Sequence, residues 1–164
     1  LKTKFYKLDV SQFIELPIKE VFPFFANPNN LKIITPNKLR FIINNSRPII
    51  MKKGQLIDYQ LTIRGIPIKW CSLISYYDPP NCFIDEQIRG PYLSWHHTHT
   101  FKEHDNGTIV IDHVKYSLPL GHIGRLIHYL WVRKDLEEIF NYRKNAIRDI
   151  FNNNTRYKYE EIIR

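Results

Sequence analysis

Residues Arg89–Phe101 read RGPYLSWHHTHTF, and the fold is decided by which way the two histidines of this segment's HTH step, His97 and His99, face. Successive side chains of a strand point to opposite sides, so Leu93, Trp95, His97, His99 and Phe101 share one face. Ser94, His96, Thr98 and Thr100 share the other. The first set carries the apolar bulk. An antiparallel sheet with one wet side turns that set to the core, which takes His97 and His99 indoors with Trp95 and Phe101. Buried imidazoles need hydrogen-bond partners, and the neighbouring strands have to supply them.

Asn106-Gly107 is the strongest hairpin signal in the chain. A two-residue turn there pairs Phe101 with Asp112, His99 with Val114, His97 with Tyr116 and Trp95 with Leu118. Asp112 and Tyr116 thereby join the histidine face, with Asp112 one diagonal step from His99. On the other side, Ile57, Tyr59, Leu61 and Ile63 pair through Gly65-Ile66 with Ile68, Trp70, Ser72 and Ile74 on one interior face. A four-residue loop, Asp78–Asn81, then sets Ile74 against Asp85 and Ser72 against Gln87. Joining that strand in phase to the histidine strand requires an odd loop or a bulge at Gly90-Pro91, where glycine and proline break the ladder. An even loop would turn Ile84, Glu86 and Ile88 inward instead; the in-phase solution is the preferred one.

The predicted concave face thus shows Asp85, Gln87, His97, His99, Asp112 and Tyr116 among aromatic side chains. The aromatics are Tyr59, Trp70, Phe83, Trp95 and Phe101. For any one polar residue, a hydrogen-bond network that merely fixes register is an equally good account. Six converging in an aromatic hollow are the composition of a small-molecule pocket.

The rest of the chain supplies what would close that hollow. Phe5–Glu15 alternates as a strand, and a helix opens at Pro17, turns Val21, Phe22, Phe24 and Phe25 to one side, and ends at Asn27-Pro28, with Pro23 shortening or kinking it. A second short helix spans about Asn29–Ile34. Strands are predicted at Leu39–Asn45, Gln55–Ile63, Pro67–Tyr77, Cys82–Arg89, Tyr92–Glu103 and Thr108–Leu118. From Ile123 to Phe151 the apolar period becomes three and four residues, through Leu126, Leu130, Leu136, Phe140 and Ile147, which predicts one long amphipathic helix with a bend or loosening at Val132–Asp135. The fold class is α+β, with seven antiparallel strands wrapped around a long C-terminal helix. One domain is expected over residues 1–152, followed by a frayed tail at 153–164.

The 164 residues are 43% hydrophobic and 14% aromatic, which excludes a disordered chain, and no apolar run approaches the roughly 18 residues of a membrane span. The net charge is +8, and residues 1–53 hold ten Lys or Arg against three acids. No basic run there exceeds Lys52-Lys53 and none alternates with aromatics, so no nucleic-acid platform is expected. The charge reads as scattered and solvating, compatible with transient contact at an anionic membrane surface. No signal peptide or anchor is legible, and the default location is the cytoplasm; the chain begins at Leu1 rather than methionine, as it would if an upstream segment had been removed. Cys71 and Cys82 flank the Pro79-Pro80 loop about six strand residues, roughly 20 Å, apart, so both are predicted to be free thiols.

The order strand, two short helices, six strands, long helix resembles the helix-grip fold of the START, birch-pollen-allergen and polyketide cyclase superfamily (SRPBCC). The stretches NPNNLKIITP, FIDEQIRGPYLSWHHTHTF, NGTIVIDHVKYSLPLG and DLEEIFNYR are similar to those of its bacterial ligand-binding or cyclase/dehydrase-like members. That resemblance implies a cavity between sheet and long helix for a hydrophobic or amphipathic ligand, with emphasis on Phe83, Asp85, Gln87, Gly90, Pro91, Trp95, His97, His99, Phe101, Asp112 and Tyr116. Pro23 departs from the pattern. Binding or transport of a lipid, quinone or polyketide-like molecule is the leading expectation. The alternative is a cyclase/dehydratase-like enzyme with His97 and Asp112 as the acid–base pair. A zinc site at His97 and His99, completed by Asp85 or Asp112, is a third possibility; a His-x-His pair alone is a weak signal and the resemblance implies no metal, so neither metal nor cofactor is expected.

Overall fold

The computed structural model describes residues 3–152. The expected tail at 153–164 lies outside them. The chain runs β1 (Phe5–Ile14), α1 (Ile18–Phe25), two 3-10 turns, β2 (Ile42–Ile43), β3 (Leu56–Ile63), β4 (Ile66–Asp78), β5 (Cys82–Arg89), β6 (Ser94–His104) and β7 (Gly107–Ser117). The seven strands form one antiparallel sheet in the order β1-β7-β6-β5-β4-β3-β2. The C-terminal helix follows as α2 (Gly121–Ile127), a π-turn at His128–Val132 and α3 (Arg133–Asn152). This is the helix-grip architecture expected from the element order. The strand expected at Leu39–Asn45 shrinks to two residues, because Pro36 opens a 3-10 turn over Asn37–Leu39 and Arg40 leaves it at φ 46°.

Both tight hairpins turn one residue earlier than predicted. Between β3 and β4 the turn is Arg64-Gly65, both at positive φ, and Ile63 pairs with Ile66. Between β6 and β7 it is Asp105-Asn106, with Asp105 at φ 47°, and His104 pairs with Gly107. Moving a two-residue turn by one place shifts register by two, so inward parity survives while every partner changes. Asp112 faces His99, Val114 faces His97 and Tyr116 faces Trp95, in place of the expected Val114, Tyr116 and Leu118. Gly107 is required for a different reason than the turn. A Cβ there would lie 2.3 Å from the Ile14 carbonyl oxygen and 2.6 Å from the Phe13 ring on β1.

The Pro-Pro loop holds three residues rather than four, since Asp78 pairs with Cys82. A bulge between Ile74 and Tyr76 absorbs the difference, so Ile74 still faces Asp85 and Ser72 still faces Gln87. A second irregularity sets Arg89, not Ile88, against Cys71. Both cysteines are free. On the far side of the Gly90-Pro91 segment, Asp85 pairs with His97 and Phe83 with His99, which is the in-phase solution. Leu93 is the exception on that face: it precedes β6 and is exposed.

Two clusters of buried side chains fill the grip. Near α1, Val21, Phe22 and Phe24 meet Phe83, Phe101, Val110 and Ile147; at the other end Leu136 and Phe140 of α3 meet Trp70, Trp95, Val114 and Tyr116. The helix is apolar along its length, yet only its second half roofs the sheet. A π-turn inserts an extra residue and rotates the preceding segment by about 100° against the following one. Leu136, Phe140 and Ile147 are therefore buried, whereas Ile123, Leu126 and Leu130 are exposed. The loosening expected at Val132–Asp135 lies just before it, at His128–Val132.

Candidate functional site

Three adjacent strands bring two imidazoles between two carboxylates. His97 and His99, two apart on β6, lie with ring centroids 3.8 Å apart and planes tilted by 37°, flanked by Asp85 of β5 and Asp112 of β7. His97 donates through Nε2 to Asp112 Oδ1 at 3.0 Å, and His99 through Nε2 to Asp85 Oδ2 at 2.9 Å. The remaining ring nitrogens also face carboxylates: His97 Nδ1 lies 3.4 Å from Asp85 Oδ2 and His99 Nδ1 lies 2.9 Å from Asp112 Oδ1. Neither contact has hydrogen-bond direction, and His99 Nδ1 is buried without a hydrogen-bond partner among the described residues. The two histidines and Asp112 are buried, with Asp85 slightly more open.

The environment splits the four groups. Burial lowers the proton affinity of His97, and the charge on His99 lowers it further, past what Asp85 and Asp112 restore. Burial also disfavours charge on His99, but the adjacent Asp112 and Asp85 carboxylates outweigh it and hold it above the usual histidine value. Burial would raise Asp85 and Asp112; the histidines, aided at Asp85 by Arg143, instead hold both carboxyls below the usual range.

This group forms one wall of a cavity of about 160 Å³ between the sheet and α3. Asp85, His97 and His99 line it with Tyr59, Trp70, Phe83 and Trp95; α3 contributes Leu136, Phe140 and Arg143. Phe83 stacks on His99 at 4.1 Å and Phe140 meets His97 edge-on at 5.7 Å, so the polar wall is set in aromatics. Burial, then the Asp85 charge, raises the Tyr59 phenol well above its usual value. The cavity shares Leu39, Ile63, Tyr92, Leu136 and Ile139 with a wider groove of about 760 Å³ that reaches the β3–β4 turn and Trp131.

Seven of the eleven predicted ligand-binding residues therefore meet at one cavity: Tyr59, Trp70, Phe83, Asp85, Trp95, His97 and His99. The other four do not line it. Asp112 sits behind the histidines against α3, so the acid–base pair read from the sequence reaches the cavity only through His97. Phe101 packs on Phe22 and Phe83 in the other core cluster. Tyr116 bonds His128 Nε2 at 2.9 Å, and burial, with the Tyr6 phenol, pushes its own phenol up to about 12. Gln87 bonds both the N–H and the carbonyl of Tyr92 at 3.1 and 2.8 Å, fixing the loop before β6. Arg143 is the lining residue sequence reasoning missed. Its guanidinium lies 4.9 Å over Phe140 and its buried Nε has no hydrogen-bond partner among the described residues. Its place two turns after Leu136 on the buried row was the available signal.

A curved antiparallel sheet gripping a long helix is the helix-grip architecture, and solved structures share it. Protein Ms6760 from Mycobacterium smegmatis superposes with a TM-score of 0.63 at 17% identity, over 86% of this chain and 87% of that one. The major latex-like protein 151 of Panax ginseng gives 0.66 at 12% identity, over 90% and 97%. The di-domain ARO/CYC protein BexL of the BE-7585A biosynthetic pathway gives 0.62 at 13%, over 87% of this chain and 50% of that one. No protein-family model matches the chain, and no curated protein matches its sequence. At these identities the likeness establishes the helix-grip fold.

Proposed function

We propose that the protein binds a hydrophobic or aromatic small molecule in the cavity beneath α3. The observation that carries this reading is a hollow lined by Trp70, Trp95, Tyr59, Phe83 and Phe140 with Asp85, two histidines and Arg143 converging on it. A hollow near 160 Å³ holds about one ring, as a comparable apolar cavity holds benzene, so a larger lipid, quinone or polyketide-like ligand would extend into the adjoining groove. Native mass spectrometry of gently purified protein tests it. A retained organic molecule that is lost in Trp95→Ala supports the reading, and a bare chain that also fails to quench Trp fluorescence with any aromatic probe opposes it.

Acid–base catalysis in the same hollow is a second reading, favoured by the Asp85 carboxylate facing the cavity while bonded to His99. The ARO/CYC name of BexL is compatible with it. Substrate-dependent proton exchange that disappears in Asp85→Asn while ligand binding survives would establish an enzyme.

Contact with an anionic membrane surface is supported by the start of the C-terminal helix. Leu120, Ile123, Leu126, Tyr129, Leu130 and Trp131 are all exposed, and residues 120–134 contain Arg125, Arg133 and Lys134 but no acid. No helix among the described residues is long and apolar enough to cross a membrane. Flotation with vesicles containing phosphatidylglycerol should carry the protein upward, and Leu126→Asp should abolish this. Equal flotation of the variant would remove the patch from the account.

A further inference from the structure

We propose that Asp85, His97 and His99 form a binding site for a divalent transition-metal ion such as Zn²⁺, with Asp112 as the carboxylate that orients both histidines. The three ligand atoms lie within 4.8 Å of one another. Two atoms bound tetrahedrally at about 2.1 Å from one ion are separated by about 3.4 Å. His97 Nδ1 and His99 Nε2 stand 3.4 and 2.9 Å from Asp85 Oδ2, so these two separations match that spacing with small shifts, and all three ligand atoms stay within 4.8 Å of one another.

The arrangement of protons favours an ion over a purely structural network. All four ring nitrogens lie within 3.4 Å of a carboxylate oxygen, but two neutral imidazoles carry only two N–H groups between them. Two nitrogens without a proton then lie beside carboxylates, one of them the buried His99 Nδ1. Protonating one ring still leaves one nitrogen without a proton beside a carboxylate, and making both rings cationic would place two positive charges 3.8 Å apart in the core. A divalent ion at the Asp85 end removes the conflict. His97 keeps its Nε2 proton on Asp112, and His99 moves its proton from Nε2 to Nδ1, which lies 2.9 Å from Asp112 Oδ1 and needs a small ring rotation to donate to it. His97 Nδ1 and His99 Nε2 are thereby freed as ligands, and no proton is gained or lost. Two carboxylates against one dication balance in charge. A carboxylate that accepts the outer N–H of a metal-bound histidine is the usual orienting partner, and here one serves two.

The two ends differ in access in the direction this requires. Asp85, His97 and His99 line the cavity, whereas Asp112 does not and instead lines a separate small void with Phe140 and Ile147 of α3. Two imidazoles and one carboxylate suit Zn²⁺, Co²⁺ or Fe²⁺ and leave at least one position toward the cavity for water or a ligand oxygen. What the sequence suggested as interchangeable third ligands are thus assigned separate roles. Asp85 binds, and Asp112 orients.

Full-length protein dialysed against EDTA and titrated with Zn²⁺ in competition with a chromophoric chelator should take up one tight equivalent. Asp85→Asn and His97→Gln should each lose it, and Asp112→Asn should keep one equivalent with affinity lowered about 10- to 100-fold. Co²⁺ added to the unaltered chain should develop the visible bands of a four- or five-coordinate centre, a readout independent of how the variants fold. No equivalent taken up, a six-coordinate cobalt spectrum, or uptake unchanged in His97→Gln overturns the site. Loss of the retained organic ligand would not bear on it, so the metal and the ligand readings fail separately.

Discussion

Gly107 shows how a single backbone position can be fixed by a neighbour rather than by its own turn. It opens β7 directly beside the end of β1, where any Cβ meets the Ile14 carbonyl and the Phe13 ring. Gly107→Ala should cost about 1–3 kcal/mol, the range for forced overpacking, and the midpoint of urea unfolding should fall accordingly. An unchanged midpoint would mean that β1 can retreat freely. His128 is the second case. It stacks on Tyr6 at 3.5 Å and accepts from or donates to the Tyr116 hydroxyl, and burial with the nearby charges of Lys4 and Arg133 lowers its proton affinity. A folded-state value below the unfolded one gives stability that is present above the unfolded value of about 6.5 and lost as pH falls through the folded value. Melting temperature should therefore drop on acidification from pH 7 toward 5, and His128→Gln should flatten that part of the profile. The same slope in the variant would assign it to other groups.

At the scale of elements, the grip depends on one face of α3 and one buttressed loop. Phe140 joins the aromatic cluster around Trp95 and Trp70 and covers His97. Phe140→Ala should destabilise by about 3–5 kcal/mol and enlarge the cavity, so the variant should bind a bulkier aromatic probe than the parent. Binding confined to the same probes would show that the roof collapses. Gln87 supports the segment between β5 and β6 through its paired bonds to Tyr92, whose ring packs on Trp95 at 4.8 Å. Gln87→Ala should speed amide hydrogen exchange of Tyr92 and Leu93 while leaving the β6–β7 ladder protected. Uniform loss of protection would instead make Gln87 part of the global fold.

At the scale of the molecule, two aromatic clusters hold the sheet at its ends and the polar cavity wall lies between them. A ligand bridging both clusters and present at 100 times its dissociation constant should raise stability by about 2.7 kcal/mol, visible as a higher melting temperature. The alternation through Trp95, His97, His99 and Phe101 determined which residues face inward, and hairpin parity carried that face to Asp112, whereas at Asp85 the three-residue Pro-Pro loop keeps the face only through the bulge between Ile74 and Tyr76. Parity is robust because a turn displaced by one residue changes register by two and keeps the face. The seven strands and the long helix were legible for the same local reason: their periods of two and about 3.6 are properties of the chain itself. Depth and exact pairing were decided only in three dimensions. Asp112 faces inward as its alternation requires, yet it ends behind the histidines because α3 covers β7 there, and covering is a contact between segments far apart in sequence. Half of the apolar helix row lies exposed because a π-turn rotates it, and no hydrophobic period records that rotation.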